Sequence, residues 1–579
     1  SLEIEGMVIS SFLIGLIYKH PYPQEMKTWE ERAFNLVRRS PDVGLRIRIN
    51  SILSHYYSWT GDFEKYTACL RSLKRDEEKE EIPPFDRLNI HLCESVHNWL
   101  MGDLDGCRES VNRGLELASD TGIHIMSPYL ICQMIFATLS SGEAEEAGKY
   151  MATYRGMFHP ADLLNSLHYH IFAGWEALIR GDLRKAAADM ELADKASIKA
   201  GTPFPAAVSK FGLANIYIEM DDHDRANEAL NGVNSIAERM ESIPLKFMCQ
   251  TGWAYSALKK DDEKALLKHL KLMMAAGIDH VFCNFPMWRS SVMSRLFARA
   301  QEYGIEVDYA RDIIRRRKLV PPVDTLQGLD NWPWPVRINT LGPFSLIRDD
   351  KPIRFSGKAQ RRPLDLLKAL IAFGGREVSS ERLMDALWPD SDGDMAQNSF
   401  NAALHRLRKL MGIKEALTLQ DGRLSLDPRY CWVDLWAFED ACEAADEAFS
   451  DGQPGDDFPG MAKRAIDLFG DRFLPDDLKP WGISSRERTR TGYSRIVTRL
   501  GCYLEGIDDH EKAIDYYLKA LDMDDLAEDV YTSLMGCYEI IGRRADAVAL
   551  YERCRMTLSE VLGVEPSPEI ETIYRRIMS

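Results

Sequence analysis

The chain holds 579 residues, 45% apolar and 28% charged, which is ordinary for a folded protein and too long for one hydrophobic core, so several domains are expected. A net charge of −17 excludes a protein that coats nucleic acid along its whole length, yet leaves room for one local basic module. Eleven cysteines scattered from Cys69 to Cys554 without a Cys-x-x-Cys pair suit a reducing cytoplasm and offer no zinc framework.

In chain order, the apolar stretch from Met7 to Tyr18 is shorter than the ~18 residues a membrane span needs, and it reads as a core helix, not a signal peptide. The first residue is Ser1, not Met, which points to an excised fragment or to N-terminal processing. A small-acidic punctuation then recurs: Thr60-Gly-Asp62, Met101-Gly-Asp103, Ser141-Gly-Glu143, Arg180-Gly-Asp182, Met220-Asp-Asp222 and Lys260-Asp-Asp262. The intervals of 41, 40, 39, 40 and 40 residues mark a repeat array. Each unit reads as a helical hairpin, such as Leu163–Ile179 followed by Leu183–Lys199. Glycine tolerates the positive φ that ends the first helix, and the acidic residue suits the N-terminus of the second. Stacked hairpins bury one another's apolar faces as an α-solenoid, and about six to seven of them fit before residue 300.

Residues 308–318 predict a last basic helix, whose Arg315 to Lys318 end reads as solvated or as a phosphate contact. Pro321, Pro322, Pro333 and Pro335 then stop the solenoid, and Trp332 and Trp334 are expected to dock on a neighbouring domain. The predicted divisions are 1–318 for the solenoid, 319–335 for the linker, 336–430 for a small α/β domain and 431–579 for a second helical domain, so the fold class is mainly α.

From Val336 to Arg348 the sequence has strand character, Asp349-Asp350 turns it, and Pro352 to Phe355 reads as a returning strand. Helices follow near Gln360–Phe373, from the Ser379-Ser380 start to Trp388, and at about Ala396–Met411. Asp421-Gly422 between alternating apolar residues predicts a hairpin. A small sheet, three helices and a hairpin make a winged helix-turn-helix.

On the third helix Phe400, Ala403, Leu404, Leu407 and Met411 follow core spacing. Asn398, Asn401, Ala402, His405, Arg408 and Lys409 are the candidate base readers, because Asn pairs bidentately with adenine, Arg with guanine, and Ala meets a thymine methyl. Candidate phosphate contacts are Lys358, Arg361, Arg362, Arg376, Arg382, Arg406 and, on the wing, Arg423. Residues 336–430 carry 16 Lys plus Arg against 12 Asp plus Glu, a net of +4 that leaves −21 elsewhere. The implied partner is double-stranded DNA. The alternative, favoured by the overall acidity and the helical repeats, is a protein-interaction scaffold whose winged helix binds protein.

Leu341-Gly-Pro-Phe344, Arg361-Arg-Pro-Leu-Asp-Leu-Leu367, Gly375-Arg-Glu-Val-Ser379, Leu383-Met-Asp-Ala-Leu-Trp-Pro389 and Asn401-Ala-Ala-Leu-His-Arg-Leu-Arg408 stand in one order. With them, residues 336–579 resemble the SARP family, the antibiotic regulatory protein type of transcription activator. His405 stands where many members carry serine, so the base preference does not carry over. The 34-residue interval from Asp508 to Gly542 has tetratricopeptide length. The ending Leu562-Gly-Val-Glu-Pro-Ser-Pro-Glu569 resembles the bacterial transcriptional activator domain that follows such winged helices. The longer N-terminal repeats resemble those of MalT-like regulators. The resemblance implies a bacterial cytoplasmic activator that binds promoter repeats and recruits RNA polymerase, with Asp390, Ser391, Asp392 and Asp394 at the polymerase-contacting loop. It also implies a solenoid that senses a small-molecule or protein effector, and a possible homodimer.

No P-loop, Gly-x-Ser-x-Gly or His-Glu-x-x-His motif occurs, so neither an enzyme nor a cofactor is expected, and the ATPase many such regulators carry would precede Ser1. His168 and His170 face different ways on one helix, and His280 with Cys283 lacks a second pair, so no metal is expected. Trp175, Trp253 and Trp288 are the candidates for a ligand or partner groove.

Overall fold

The structure, a computed structural model, describes residues 2–78, 82–159, 161–278, 283–322, 329–355, 361–449 and 454–579. The chain forms two compact units, Ser1–Pro322 and Val323–Ser579. None of the helices among the described residues is long and apolar enough to cross a membrane.

The first unit is built of consecutive helix pairs: α1 (Leu2–Lys19) with α2 (Pro23–Arg39), α3 (Val43–Thr60) with α4 (Phe63–Glu77), α5 (Pro84–Leu100) with α6 (Leu104–Thr121), and α7 (Ser127–Ser141) with α8 (Ala144–Arg155). The pairing continues with α9 (Leu163–Arg180) and α10 (Leu183–Ala200), α11 (Pro203–Glu219) and α12 (His223–Met240), α13 (Ile243–Lys259) and α14 (Glu263–Ile278), and α15 (Ser290–Glu302) and α16 (Val307–Arg316). The punctuation marks are the turns within the pairs. Gly61, Gly102, Gly142 and Gly181 have φ of 78–85°, and Asp221 and Asp261 take the same left-handed region at 57° and 53°. The following Asp62, Asp103, Asp182, Asp222 and Asp262 each accept the backbone N–H three residues on, capping the second helix. Glu143, one methylene longer, makes no such cap.

The array returns on itself. Trp59 of α3 stacks on Phe204 of α11 at 4.8 Å, and the Ser242 hydroxyl donates to the Trp59 carbonyl. A Cβ on Gly61 would lie 2.7 Å from Pro244 Cδ, so this approach also requires glycine.

The end of α16 differs from the solvated tail expected. Arg317 is buried, donates to the carbonyls of Ser140 (2.9 Å) and Cys283 (3.3 Å), and lies 4.0 Å over the ring of Trp288. Asn284 donates to Trp99 O at 3.0 Å, and the Cys283 N–H to Leu100 O at 3.3 Å. Ser140 sits at the C-terminal end of α7, where the helix dipole favours a cation, and Trp99 and Leu100 sit at that of α5. Burial pulls the Arg317 pKa down to about 9. Arg316 pairs with Asp312, and Lys318 with Asp105.

The expected tryptophan groove does not form. Trp175 and Trp288 are sealed in the core, Trp175 beside Phe136 and Trp288 beneath Arg317, because large rings fill the gaps between stacked helices. Trp253 is half-buried and donates to Asn227 Oδ1 at 3.2 Å. His280 lies outside the described residues; Cys283 is buried, its thiol pKa pushed up to about 11 by that burial.

In the second unit Trp332 and Trp334 are buried, and Asp330 pairs with Arg464 at 2.9 Å. β1 (Val336–Asn339), β2 (Ser345–Arg348) and β3 (Lys351–Pro352) precede α17 (Arg361–Ala372), β4 (Val378–Ser379), α18 (Ser380–Leu387) and α19 (Gly393–Met411). β5 (Leu417–Gln420), β6 (Arg423–Leu426) and β7 (Cys431–Val433) follow. The helical remainder is α20 (Asp434–Glu447), α21 (Phe458–Leu468), α22 (Ile483–Gly506), α23 (His510–Met523), α24 (Glu528–Ile540), α25 (Arg544–Val561) and α26 (Pro568–Met578). One sheet runs β3-β2-β1-β7, with β1 antiparallel to β2 and parallel to β7; the other runs β4-β6-β5. The returning strand β3 is short, and just beyond it the Ile353 N–H still donates to Leu346 O at 2.8 Å.

Residues 431–433 complete the sheet that opens at Val336, and one apolar core continues from Val336 to Ile577. The winged helix and the helical block therefore share a sheet and a core.

Candidate nucleic-acid interface

Helix α19 buries Ala396, Phe400, Ala403, Leu404, Leu407 and Met411, a stripe at 3–4 spacing packed on α17 and α18. Gly412 ends it at φ 76°. Asn398, Asn401, Ala402, His405, Arg406 and Lys409 are exposed. Gln397, absent from the sequence-based candidates, joins them: its amide donates to Asn401 Oδ1 at 3.3 Å, and the i, i+4 spacing was the available signal.

Arg408 departs from the expected base-reading role. It is half-buried and turns to the wing, where Nη2 donates to Leu417 O at 3.3 Å. Its stem lies at the edge of the exposed stripe, and the first wing strand passes close enough to take the guanidinium. Arg408 thus holds the wing against the helix.

The wing is the β5–β6 hairpin, in register from Leu417↔Leu426 to Gln420↔Arg423. Asp421 and Gly422, at φ 49° and 72°, form its turn, and two positive φ values match the twist of paired strands. Ser380 N–H donates to Gly422 O at 2.8 Å, tying the start of α18 to the wing tip. Gly375 approaches α20 so closely that a Cβ would lie 2.3 Å from the Trp436 ring.

The phosphate candidates have different settings. Arg361 is exposed in the first turn of α17. Arg362 is exposed but donates to Leu387 O at 3.1 Å. Arg376 lies over Trp436, Arg382 over Phe373, and Arg423 donates to Glu377 O at 3.1 Å, all three remaining exposed. Lys358 falls outside the described residues. Beside the wing, burial opposes ionisation of Asp427, but Arg429 outweighs it and holds the carboxyl below its usual range. Asp390, Asp392 and Asp394 are exposed and Ser391 half-buried; Asp394 already belongs to the first turn of α19, so the loop is shorter than expected.

Sequence reasoning missed the knot that joins the winged helix to the helical block. Buried Asp434, at the start of α20, accepts the backbone N–H groups of Thr340 (2.6 Å), Leu341 (2.7 Å) and Leu435 (2.8 Å) and the Thr340 hydroxyl (2.7 Å). Burial raises its pKa, and these donors counter it only in part. The site is thus a helix with a polar exposed face, a wing fixed to it by Arg408, and a rigid mount.

In its order of parts, a winged helix followed by a helical block, the second unit is similar to the SARP type of regulator, and a helical region precedes it. The profile of that family, the bacterial transcriptional activator domain, matches residues 433–578. The regulatory protein AfsR of Streptomyces griseus is 27% identical over 244 residues, covering 42% of this chain and 24% of AfsR. The transcriptional regulatory protein EmbR of Mycobacterium tuberculosis is 25% identical over 249 residues, covering 41% of this chain and 62% of EmbR. The chain therefore spans less than two thirds of either relative. A solved structure of M. tuberculosis EmbR with a low-affinity phosphopeptide aligns at 22% identity and a TM-score of 0.35, over 42% of this chain and 65% of that one.

Proposed function

We propose that this chain is a DNA-binding transcription regulator that activates promoters carrying repeated sites. Helix α19 enters the major groove, with Asn398, Asn401, Ala402, His405 and Lys409 facing base edges and Gln397 beside them. Arg361, Arg376, Arg382, Arg406 and the wing residue Arg423 hold phosphates, as Lys358 would. The loop from Asp390 to Asp394 contacts RNA polymerase. The N-terminal repeats carry control by a small-molecule or protein effector, and they and the activator domain offer surfaces for a homodimer.

The observation that carries this reading is the exposed polar face of α19 within a winged helix joined to a matched activator domain. Two relatives, each aligned over about 40% of the chain, are named as regulators, which supports it. The test is genome-wide mapping of DNA bound by the full chain, followed by transcription from an enriched promoter. Enrichment of promoter repeats and stimulated transcription are expected. Random DNA recovery together with a stable protein complex would favour the scaffold alternative.

A further inference from the structure

Of the eleven cysteines, all among the described residues, ten are buried and Cys502 is exposed. Exposure leaves a thiol open to oxidants, and burial in apolar surroundings protects it. Cys502 stands on α22, where α22, α23 and α24 pack on one another. Its neighbour Gly501 has no room for a side chain: a Cβ there would lie 2.5 Å from the Tyr517 ring, so α23 presses that ring close against α22. The Tyr517 hydroxyl then reaches Cys502 and donates to its sulfur at 3.4 Å.

A second thiol meets the same group from α24. Glu505 follows Cys502 at the i, i+3 spacing that puts two side chains on one helix face. Cys537, which is buried, donates its S–H to Glu505 Oε1 at 3.1 Å. Burial first, and then this hydrogen bond, raise its pKa, so it stays a thiol with a carboxylate beside it to take its proton. An accessible sulfur and a sheltered one thus meet, with Tyr517 and Glu505, at one junction of three helices.

We propose that Cys502 and Cys537 form a peroxide-responsive thiol pair, with Cys502 as the attacking sulfur and Cys537 as the resolving one. The Cys502 thiolate attacks one oxygen of hydrogen peroxide and the O–O bond breaks. The leaving hydroxide takes up the proton that the thiol gave up and becomes water, and the sulfur is oxidised to a sulfenic acid. Turning about χ1, which its exposure permits, carries this sulfur from Tyr517 toward α24. Cys537 passes its proton to Glu505 while its sulfur attacks that of Cys502 and the S–O bond breaks. The leaving hydroxide takes the proton from Glu505. Two thiols and one peroxide thereby yield one disulfide and two waters, and α22 is tied to α24. This chemistry stands apart from the regulatory reading above, since it needs neither DNA nor an effector.

The test is brief treatment of the full chain with hydrogen peroxide, alkylation of the remaining thiols under denaturing conditions, and mass spectrometry of the unreduced tryptic digest. Trypsin places Cys502 in peptide 500–512 and Cys537 in peptide 520–543. A cross-linked pair of these peptides is expected, lighter than their sum by two hydrogens and split by dithiothreitol, with the other cysteines alkylated. Cys537→Ser should accumulate sulfenic acid on Cys502, trapped by dimedone, and Cys502→Ser should yield neither product. Glu505→Gln should slow disulfide closure at least about tenfold while leaving the loss of the Cys502 thiol to peroxide unchanged. Disulfides between the Cys502 residues of two chains, oxidation spread over the other cysteines, or a Cys502 thiol that peroxide leaves intact would overturn the pair. Closure at the wild-type rate in Glu505→Gln would overturn the part given to the carboxylate.

Discussion

Replacing Asp434 with alanine should loosen the mount of the winged helix without touching the face of α19. The carboxylate accepts four hydrogen bonds, three of them from Thr340 and Leu341, and Thr340 is wholly buried. Alanine strands those three donors. Each buried donor left without an acceptor costs about 1–3 kcal/mol, and water entering the vacated space recovers part of this, so a loss of about 3–5 kcal/mol is expected. Asn keeps one acceptor oxygen but turns an N–H₂ toward groups that also donate, so Asp434→Asn should lose roughly half as much. Hydrogen exchange in the full chain, read on peptides covering 336–348 and 431–438, reports the knot directly, and urea unfolding gives the free energy. Faster exchange in both peptides is expected, with DNA affinity retained where the protein is folded. Wild-type exchange and a stability change below about 0.5 kcal/mol would refute the reasoning.

Other outcomes follow from the same structure. Arg317→Met should destabilise the first unit by about 2–4 kcal/mol and speed exchange at 95–101 and 136–142, because helix-end carbonyls lose their buried cation; Arg317→Lys should rescue little, since a point charge cannot replace a planar fork stacked on Trp288. Burial, with a contribution from His168, lowers the His55 pKa to about 4. The unfolded chain takes up the proton near pH 6.5, so stability is full above that value and falls by about 2–3 kcal/mol as pH drops toward 4; His55→Gln should flatten that part of the urea-midpoint profile. Asp390→Ala with Asp392→Ala should lower transcription in a reconstituted assay while leaving DNA affinity within about twofold, because both lie outside the base-reading face.

Local chemistry explains which parts could be read in advance. The Gly-Asp punctuation marked helical hairpins because a left-handed residue followed by an N-cap leaves little alternative. Asp421-Gly422 announced the wing hairpin, and the 3–4 spacing from Phe400 to Met411 separated the buried stripe of α19 from its exposed face. What escaped were contacts distant in sequence. Arg317 reads as the end of a basic helix, yet its acceptor at Ser140 lies 177 residues away. Asp434 looks like an acid in a helical first turn, and its partners lie 93 and 94 residues earlier. Arg408 shares the angular edge of a stripe with free residues, and only the position of Leu417 decides that it faces the wing. Trp175 and Trp288 carry the composition of a groove but fill the packing between helices.

The central claim concerns the exposed face of α19, and fluorescence anisotropy on a mapped promoter repeat tests it most directly. Wild-type protein and Asn401→Ala with His405→Ala would be titrated against that repeat and a scrambled duplex at several salt concentrations. The double variant should lose about 30-fold or more in specific affinity and bind both duplexes alike, with the salt slope kept by the arginines and lysines that meet phosphate. Undiminished preference for the repeat would contradict the account.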